Sequence, residues 1–291
     1  METTIRRTPG KINLLLRVTG RTADGFHELL TLFHAVPETS DEITADFGAA
    51  PGISVRCSMP GVPEHEENIV WRAADAFARA KGIAPRWAFR IEKHIPVAAG
   101  MGGGSSDAGC VLALLDRRFP GLSREKLVRC AVSVGADVPF FLDPGDAAAR
   151  GIGEKLEKLS PLPVPPLLIV SPGFPVSAAW AYRHLERMTS PEQAEAELAA
   201  LEQALRRKDF PAAAALCAND LEPALFAKFP LLGMLRSVLE EAGALCVHVS
   251  GSGPVLFALF DSDARRHEAA VRLKEPDFAE GGIEVTECGA R

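Results

Sequence analysis

The most constraining feature of the sequence is a glycine-rich stretch between a predicted strand and a predicted helix. Four of the five residues Gly100–Gly104 are glycine, and Ser105-Ser106-Asp107 lead from them into the apolar run Cys110–Leu115. Glycines let the backbone adopt positive φ and approach a ligand closely, while Ser and Asp are good N-caps. The free N–H groups and the dipole at such a helix start favour a bound phosphate.

A flexible turn before a core helix is the simpler interpretation of a Gly/Ser cluster. Two features argue against it here, since the strand-like Trp87–Glu92 precedes the stretch and an apolar helix follows at once. The stretch is not a Walker A loop, because no Gly-Lys-Ser/Thr closes it, and it contains no G-x-G-x-x-G pattern. It therefore predicts a phosphate loop of another kind.

Composition indicates a globular chain of two lobes. The 291 residues are 47% hydrophobic and 24% charged, with no run of about 18 apolar residues that would span a membrane. The start, Met1–Arg7, lacks the apolar region of a secretory signal, so we expect a cytoplasmic protein. A net charge of −6 argues against nucleic-acid and acidic-membrane surfaces, so a phosphorylated ligand must be held by local cations and amides.

The cysteines and histidines do not suggest a metal site. The seven histidines form no H-E-x-x-H pattern, and the six cysteines lie far apart without a C-x-x-C pair. They are typical of reduced core residues in a protein without a disulfide framework. The cysteines are Cys57, Cys110, Cys130, Cys217, Cys246 and Cys288.

The first predicted strand brings two polar residues to one face. Lys11–Val18 alternates so that Lys11 and Asn13 point the same way, opposite the apolar side chains. Asp24-Gly25 then marks a tight reversal that leaves Phe26 and His27 at the mouth of a hairpin. Their rings are there either for ordinary packing or to grip a flat base.

Capping residues, glycines and prolines predict where the remaining helices and strands begin and end. Helices are expected at about 67–80, closed by Gly82, and at 123–134, with a hairpin turn at 150–155 and a Pro-rich lobe boundary at 160–166. Further helices are predicted at 177–186, 191–206, 211–219 and 231–242. Strands at 167–170, 245–249, 255–260 and 283–287, with a helix at 264–274, fit a ferredoxin-like antiparallel sheet.

Asp137 is an isolated charge in an apolar context. No other charged residue stands between Arg129 and Asp143, and Pro139-Phe140-Phe141 follow it closely. A buried aspartate needs a partner or a task. The alternative is an aspartate that only caps backbone amides near Pro139.

Three ordered motifs resemble those of the galactokinase, homoserine kinase, mevalonate kinase and phosphomevalonate kinase (GHMP) superfamily: Lys11–Leu14, Gly102–Ser106 and Ser250–Gly253. Four further segments are similar to the branch that acts on 4-diphosphocytidyl-2-C-methyl-D-erythritol: Pro9–Leu14, Asp24–Leu29, Gly135–Phe140 and Asn219–Glu222. The resemblance implies an α+β, two-lobed GHMP kinase fold. Its N-terminal ribosomal-S5-domain-2-like lobe would span 1–160 and its C-terminal ferredoxin-like lobe 161–291.

The resemblance also implies an activity, the ATP-dependent phosphorylation of the 2-hydroxyl of that cytidyl substrate in isoprenoid precursor synthesis. Asp137 would be the general base, and Lys11 would keep it ionised and stabilise the transferring phosphoryl group. The residues agree independently, since an aspartate facing a lysine stays ionised and phosphoryl transfer depends mainly on electrostatics. The partners would be the small substrate and ATP with Mg²⁺, and the protein a monomer or weak homodimer.

For the cytidine, the resemblance places the base between the rings of Phe26 and Tyr182, with His27 at its polar edge and Asn13 near the sugar-like hydroxyls. Stacking of the base between two rings contributes on the order of 1–3 kcal/mol. Tyr182 is the only tyrosine in the chain. It could equally be a packed helix residue.

For ATP, the resemblance implies a cradle of amides in the glycine-rich stretch and Asn68 near the adenine, although Asn68 could be only an N-cap. Ser105 and Ser106 would touch phosphate or magnesium, cap the helix, or do both. Lys93 and His94 would lie near the nucleotide or contact solvent at a strand edge. The ATP-binding residues implied are Asn68, Pro96, Val97, Ala98, Ala99, Gly100, Met101, Gly102, Gly103, Gly104, Ser105 and Ser106.

The chain departs from the branch's pattern at three positions, with Ala98 in place of glycine, Met101 in place of leucine and Phe26 in place of tyrosine. None of these removes a charge that the chemistry needs. Asp107 places a carboxylate near the phosphates unless it turns away from them. Two rival functions are another GHMP kinase, of the homoserine or mevalonate type, and a non-catalytic nucleotide sensor, which would not need both Lys11 and Asp137.

Overall fold

The computed structural model describes residues 3–275, 278 and 281–290. These residues form two compact units, and neither unit is continuous in sequence. Unit 1 comprises the chain up to Gly10, Thr39–Ile95 and Gly102–Pro144, and unit 2 comprises Lys11–Glu38, Pro96–Met101 and the chain from Gly145 onward. A division of the family's lobes at residue 160 stays a prediction.

Two long strands contribute residues to both units, β1 (Thr3–Arg21) and β2 (His27–Asp46). The predicted strand at 11–18 lies inside β1, and its apolar face is buried as the alternation predicted. The side chains of Lys11 and Asn13 are on one face and are hydrogen-bonded to each other.

Unit 1 is a layer of strands covered by helices. Residues Glu42–Asp46 of β2 pair antiparallel with β4 (Arg86–Glu92), which pairs parallel with β3 (Gly52–Cys57). The helical elements are α1 (Ile69–Lys81), α2 (Gly103–Arg118), α3 (Arg124–Val134) and a 3-10 helix (Val138–Leu142). Aromatic and aliphatic side chains of both layers form the core, among them Phe77, Trp87, Phe89, Leu112 and Leu115.

The helix boundaries of unit 1 follow from their caps. Asn68 and Ser123 accept hydrogen bonds at the starts of α1 and α3, and Gly82 ends α1 in the left-handed conformation, with φ 69°. Such caps satisfy amides and carbonyls that have no partner inside a helix. The predicted starts and the predicted stop are confirmed.

Unit 2 contains the predicted hairpin and the predicted antiparallel sheet. The strands β5 (Asp146–Arg150) and β6 (Lys155–Leu159) pair with each other, and β5 also pairs with β2 at Thr31–His34. The four-stranded sheet has the order β11-β7-β10-β9, with antiparallel neighbours throughout, as a ferredoxin-like arrangement requires. Its strands are β7 (Leu167–Ser171), β9 (Cys246–Val249), β10 (Leu256–Leu259) and β11 (Glu284–Cys288).

The helical part of unit 2 differs from the prediction at one place. The helix predicted at 211–219 ends earlier, because Ala218-Asn219 forms the short strand β8 and pairs with Leu15-Leu16 of β1. A helix that was not predicted then follows, with a proline in its first turn, a position that proline tolerates. The helices are α4 (Ala178–Arg183), α5 (Pro191–Arg206), α6 (Phe210–Leu216), α7 (Glu222–Lys228), α8 (Pro230–Glu241) and α9 (Asp263–Leu273).

No helix in the described part of the chain combines the length and the hydropathy that a membrane span requires.

Candidate active site

Lys11 is a buried cation at the centre of one cluster in unit 2. Its side chain is carried by β1, and the residue is only 4% exposed. The ammonium donates to the Oδ1 atom of Asn13 at 2.7 Å and to the carbonyl oxygen of Gly100 at 2.8 Å, and it lies 5.3 Å from the ring centroid of Phe33. These two hydrogen bonds orient the ammonium.

The turn Ser250–Gly253, here called the late glycine turn, packs against the same cluster. A Cβ atom on Gly251 would lie 3.2 Å from the ammonium nitrogen of Lys11 and 3.1 Å from the carbonyl oxygen of Gly100. The hydroxyl of Ser250 also donates to that carbonyl, at 3.0 Å. In unit 2 the first motif, the start of the glycine-rich stretch and the late turn therefore meet around one lysine.

Asn13 is buried beside Lys11, and both ends of its amide have partners. Its Nδ2 atom donates to the hydroxyl of Thr31 at 2.8 Å, and that hydroxyl donates to the carbonyl of Leu15 at 2.5 Å. The chain Lys11–Asn13–Thr31 thereby fixes the lysine rotamer. This arrangement gives Asn13 an orienting role in addition to the substrate contact that was predicted.

A group of aromatic side chains in unit 2 lies at the mouth of the hairpin between β1 and β2. The ring of Phe26 is 62% exposed. The imidazole of His27 stacks on Tyr182, with ring centroids 5.2 Å apart and an interplanar angle of 28°. Burial, helped by the charge of Arg21, lowers the pKa of His27, so the ring is neutral at pH 7.

The Nε2 atom of His27 is buried and has no hydrogen-bond partner among residues 3–275, 278 and 281–290. An orphaned polar atom of this kind is expensive unless a ligand or water pairs with it. The structure stacks His27 on Tyr182, and the placement of the base between Phe26 and Tyr182 stays a prediction. Tyr182 also packs against the hydrophobic core of unit 2, so the packing interpretation holds as well.

In unit 1, the glycine-rich stretch ends as the N-terminus of α2. Gly102 caps the helix with φ 71°, and the amide of Ser106 already donates to the carbonyl of Gly102 at 2.8 Å. The amides ahead of Ser106 have no carbonyl one turn earlier within the helix, which leaves the anion-binding geometry of a helix start.

The hydroxyl of Ser106 is fully buried and is used inside unit 1. It donates to the carbonyl of Pro9 at 2.7 Å and lies 2.6 Å from the hydroxyl of Thr8. Ser106 therefore ties α2 to β1. These contacts oppose the predicted contact between the Ser106 side chain and ATP. They do not oppose the contact predicted for Ser105.

Asp137 stands in unit 1 at the start of the 3-10 helix, half-buried. Among the described residues, its carboxylate makes no capping hydrogen bond to that helix. The role of Asp137 as general base stays a prediction. Gly109 of α2 permits the close approach of the 3-10 helix, because a Cβ there would lie 2.5 Å from the Cβ of Phe141. The 3-10 helix that begins at Asp137 therefore packs closely against α2.

Asn68 has the capping role that the sequence left open. Its Oδ1 atom accepts from the amide of Val70 at 2.8 Å and its Nδ2 atom donates to the carbonyl of Pro63. A contact between its side chain and adenine stays a prediction.

Within the described ranges, no group of three or more His, Cys, Asp or Glu side chains is arranged to hold a metal ion. Mg²⁺ in nucleotide sites is commonly carried by phosphate oxygens and water with one or two protein ligands, so such a site needs no preformed cluster.

Comparison with known proteins assigns both parts of the chain to one superfamily. Residues 68–145 match the GHMP kinase N-terminal domain, and residues 201–277 match the GHMP kinase C-terminal domain. A relative from Citrifermentans bemidjiense, named 4-diphosphocytidyl-2-C-methyl-D-erythritol kinase, is 40% identical over 267 residues, which cover 90% of this chain and 91% of the relative. The chain belongs to the 4-diphosphocytidyl-2-C-methyl-D-erythritol kinase family.

Solved structures agree with membership of this family. A crystal structure of 4-(cytidine 5'-diphospho)-2C-methyl-D-erythritol kinase has 33% sequence identity and a TM-score of 0.78, covering 98% of this chain and 99% of that one. A homoserine kinase from Cytophaga hutchinsonii matches with a TM-score of 0.79 at 19% identity, covering 100% and 95% of the two chains. The second likeness concerns the fold alone. The fold is therefore that of the GHMP kinases, as predicted.

The kinase-family segment Asn219–Glu222 supports the late glycine turn, a role that the sequence analysis did not assign. The Nδ2 atom of Asn219 donates to the carbonyls of Val249 and Gly251, at 2.8 and 2.7 Å. Glu222 accepts from the amide of Val249 at 2.6 Å. The side chains of Asn219 and Glu222 thus fix the backbone of the late glycine turn and of the strand before it.

Asp220 of the same segment anchors β1. Its carboxylate accepts from Arg17 at 2.7 Å, from the amide of Val18 at 2.9 Å and from the hydroxyl of Thr189 at 2.9 Å. The sequence signal at Asn219–Glu222 was its similarity to a family segment, which does not reveal partners 30 to 200 positions away.

Proposed function

We propose that the protein transfers the γ-phosphoryl group of ATP to the 2-hydroxyl of 4-diphosphocytidyl-2-C-methyl-D-erythritol, giving the 2-phosphate and ADP. The reaction belongs to non-mevalonate isoprenoid precursor biosynthesis. The observation that carries the proposal is the identity of about two residues in five with relatives named for this activity, over nine tenths of both chains.

In this proposal Asp137 is the general base and Lys11 the electrostatic partner. The 2-hydroxyl oxygen forms a bond to the γ-phosphorus, the bond from that phosphorus to the bridging oxygen breaks, and the hydroxyl proton passes to Asp137. Lys11 supports this assignment because it is buried and oriented by Asn13 and Gly100. In a site of low dielectric constant, such a charge stabilises the transferring phosphoryl group more strongly than it would in water.

The cytidine is held, in this proposal, at the hairpin mouth. The exposed ring of Phe26 offers a stacking face, and the unpaired Nε2 atom of His27 offers a polar contact for the edge of the base. Tyr182, stacked on His27, either supplies the second ring or supports the imidazole from behind. Asn13 lies near the methylerythritol hydroxyls.

ATP is held at the start of α2, where amides of Gly103, Gly104 and Ser105 face the phosphates. Mg²⁺ bound to the ATP phosphates would supply neutralisation of the charge on the phosphate oxygens. Residues Pro96–Met101 complete the backbone cradle, and Asn68 lies near the adenine. The reaction takes place in the cytoplasm, and the enzyme acts as a monomer or weak homodimer.

An ADP-release assay with a panel of alcohols tests the proposal. We expect Mg²⁺-ATP turnover with the cytidyl substrate and none with mevalonate or homoserine. Turnover of either of those alcohols, with none of the cytidyl compound, would assign the protein to another GHMP kinase activity. ADP binding without turnover of any alcohol would support a nucleotide sensor.

A further inference from the structure

Unit 1 contains a buried lysine that the reaction described above does not use. Lys93 directly follows β4, seven positions before Gly100, and its side chain is 4% exposed. The sequence allowed a solvent contact at a strand edge, and the structure shows that this interpretation is wrong. A lysine is rarely buried to this extent unless it is paired.

The ammonium of Lys93 bridges two buried carboxylates. It is bonded to the Oδ2 atom of Asp41 and, at 2.9 Å, to the Oδ2 atom of Asp107. Both carboxylate side chains are at most 4% exposed. Asp41 lies on β2 and Asp107 in the second turn of α2, so Lys93 joins three separate elements of unit 1.

Asp41 also fixes the backbone just ahead of the glycine-rich stretch. Its Oδ1 atom accepts from the amides of His94 and Ile95, at 2.6 and 2.8 Å. Two amides and one ammonium therefore converge on one carboxylate, and the chain leaves unit 1 at Ile95 in a defined direction.

The lysine touches the other end of the stretch as well. A Cβ atom on Gly103 would lie 3.2 Å from the ammonium nitrogen of Lys93 and 3.1 Å from the Cγ2 atom of Ile95. Gly103 is the first residue of α2. The residues that enter and leave the stretch are thus packed together around the lysine.

The charges of this cluster are nearly balanced. Burial raises the pKa of Asp107, and the charge of Lys93 does not offset it, while Asp41 acts in the same direction as burial. Burial opposes the charge of Lys93, but the two carboxylates outweigh it and raise the pKa of the ammonium.

We propose that Lys93 is a positioning residue for ATP: through Asp41 and Asp107 it holds the start of α2 so that the amides of Gly103–Ser105 meet the phosphates. Lys93 does not itself touch the nucleotide. This inference rests on the proposed kinase activity and adds to it a cluster that sets nucleotide affinity. A supporting group of this kind acts by restricting the motion of the groups that contact the ligand.

The test compares Lys93→Met, Asp107→Asn and Asp107→Leu with wild type in KM for each substrate and in ADP affinity by calorimetry. Lys93→Met should raise the KM for ATP and the Kd for ADP about tenfold or more, the lower end of the losses at supporting residues of metal sites. The KM for the cytidyl substrate should change by less than about twofold, a difference of under 0.5 kcal/mol. Asp107→Asn keeps an acceptor for the ammonium and should resemble wild type, whereas Asp107→Leu should resemble Lys93→Met.

Leu115→Ala is the matched control, because it loosens the same core of unit 1 without touching the cluster. It should lower the unfolding temperature and leave the ADP affinity unchanged. Wild-type ADP affinity in folded Lys93→Met would overturn the inference, as would equal losses of affinity in Leu115→Ala or in both Asp107 variants. If Lys93→Met does not fold, the two Asp107 variants decide in the same way. Because ADP affinity is measured without the alcohol, failure of the cytidyl substrate to react rejects the proposed activity and leaves this comparison intact.

Discussion

The carbonyl oxygen of Gly100 accepts hydrogen bonds from both the ammonium of Lys11, at 2.8 Å, and the hydroxyl of Ser250, at 3.0 Å. These donors come from the first and the last of the three family motifs. The glycine-rich stretch is thus joined within unit 2 to both of the others through one backbone atom. Gly100 can fill this position because its backbone has φ +82° and its α-carbon faces the late turn closely.

Gly100→Ala should be severely destabilising. An added Cβ would lie 1.9 Å from the carbonyl oxygen of Ser250, in addition to the strain of a positive φ. Gly25→Ala is the control, since Gly25 has φ +84° and nothing within 4 Å of the added atom. We expect a loss of about 1–2 kcal/mol for Gly25→Ala from backbone strain alone, and at least about 3 kcal/mol, or failure to fold, for Gly100→Ala. Equal losses in urea unfolding would contradict the close approach.

Ala98→Gly should stabilise the protein. Ala98 has φ +53°, in the left-handed region that favours glycine. Glycine removes the strain but gives the unfolded chain more freedom, so the net gain should be about 0.5–1 kcal/mol. The free energy of unfolding measures it. A variant less stable than wild type would mean that Ala98 is not strained.

Phe26→Ala should weaken binding of the cytidyl substrate and spare ATP. The ring is 62% exposed and free to stack, and a stacked base is worth about 1–3 kcal/mol, or about 5- to 150-fold in KM. Met234→Ala is the matched control, because Met234 is 61% exposed on α8. Steady-state kinetics with each substrate varied in turn provide the measurement. Equal rises in both KM values would reject the stacking role.

Cys246 should be the most readily alkylated cysteine at pH 7. The neighbouring thiol of Cys217 outweighs burial and lowers the pKa of Cys246, and His248 acts in the same direction. Cys57 is also partly exposed, but burial raises its pKa. Burial raises the pKa of Cys110 to about 12. Iodoacetamide labelling read by peptide mass spectrometry should modify Cys246 first, since the thiolate is the nucleophile.

Substitution of His248 provides the control for the labelling of Cys246. Burial opposes the charge of His248, but its interactions with Cys246 and Glu222 raise its pKa to about 9. His248→Gln should therefore slow alkylation of Cys246. Labelling of Cys57 or Cys110 ahead of Cys246 would contradict the assignment.

Local patterns predicted those parts of the fold that local physics determines. Ser123 and Gly82 delimit helices because capping groups lie within a few residues of the amides and carbonyls that they satisfy. The alternation around Lys11 placed it beside Asn13 because successive strand residues point to opposite faces. The order of the family motifs along the chain did not predict that Lys11 and the turn at Ser250–Gly253 meet, as they do in unit 2.

The elements that were missed depend on partners far away in the sequence. Asp41 and Lys93 are 52 positions apart, and no periodicity in either segment indicates that they pair. Asn219 looked like the end of a helix, yet it pairs with β1 and holds the turn at Gly251. Such contacts arise from tertiary packing, which overrides local propensity.

The turnover rate of Asp137→Asn tests the central claim most directly. The substitution keeps the size of the side chain and removes its ability to accept the hydroxyl proton as a base. We predict a fall in kcat of about 100-fold or more, the usual contribution of a general base, with the affinity for ADP unchanged in calorimetry. A kcat equal to that of wild type would contradict the role of Asp137 and, with it, the proposed mechanism.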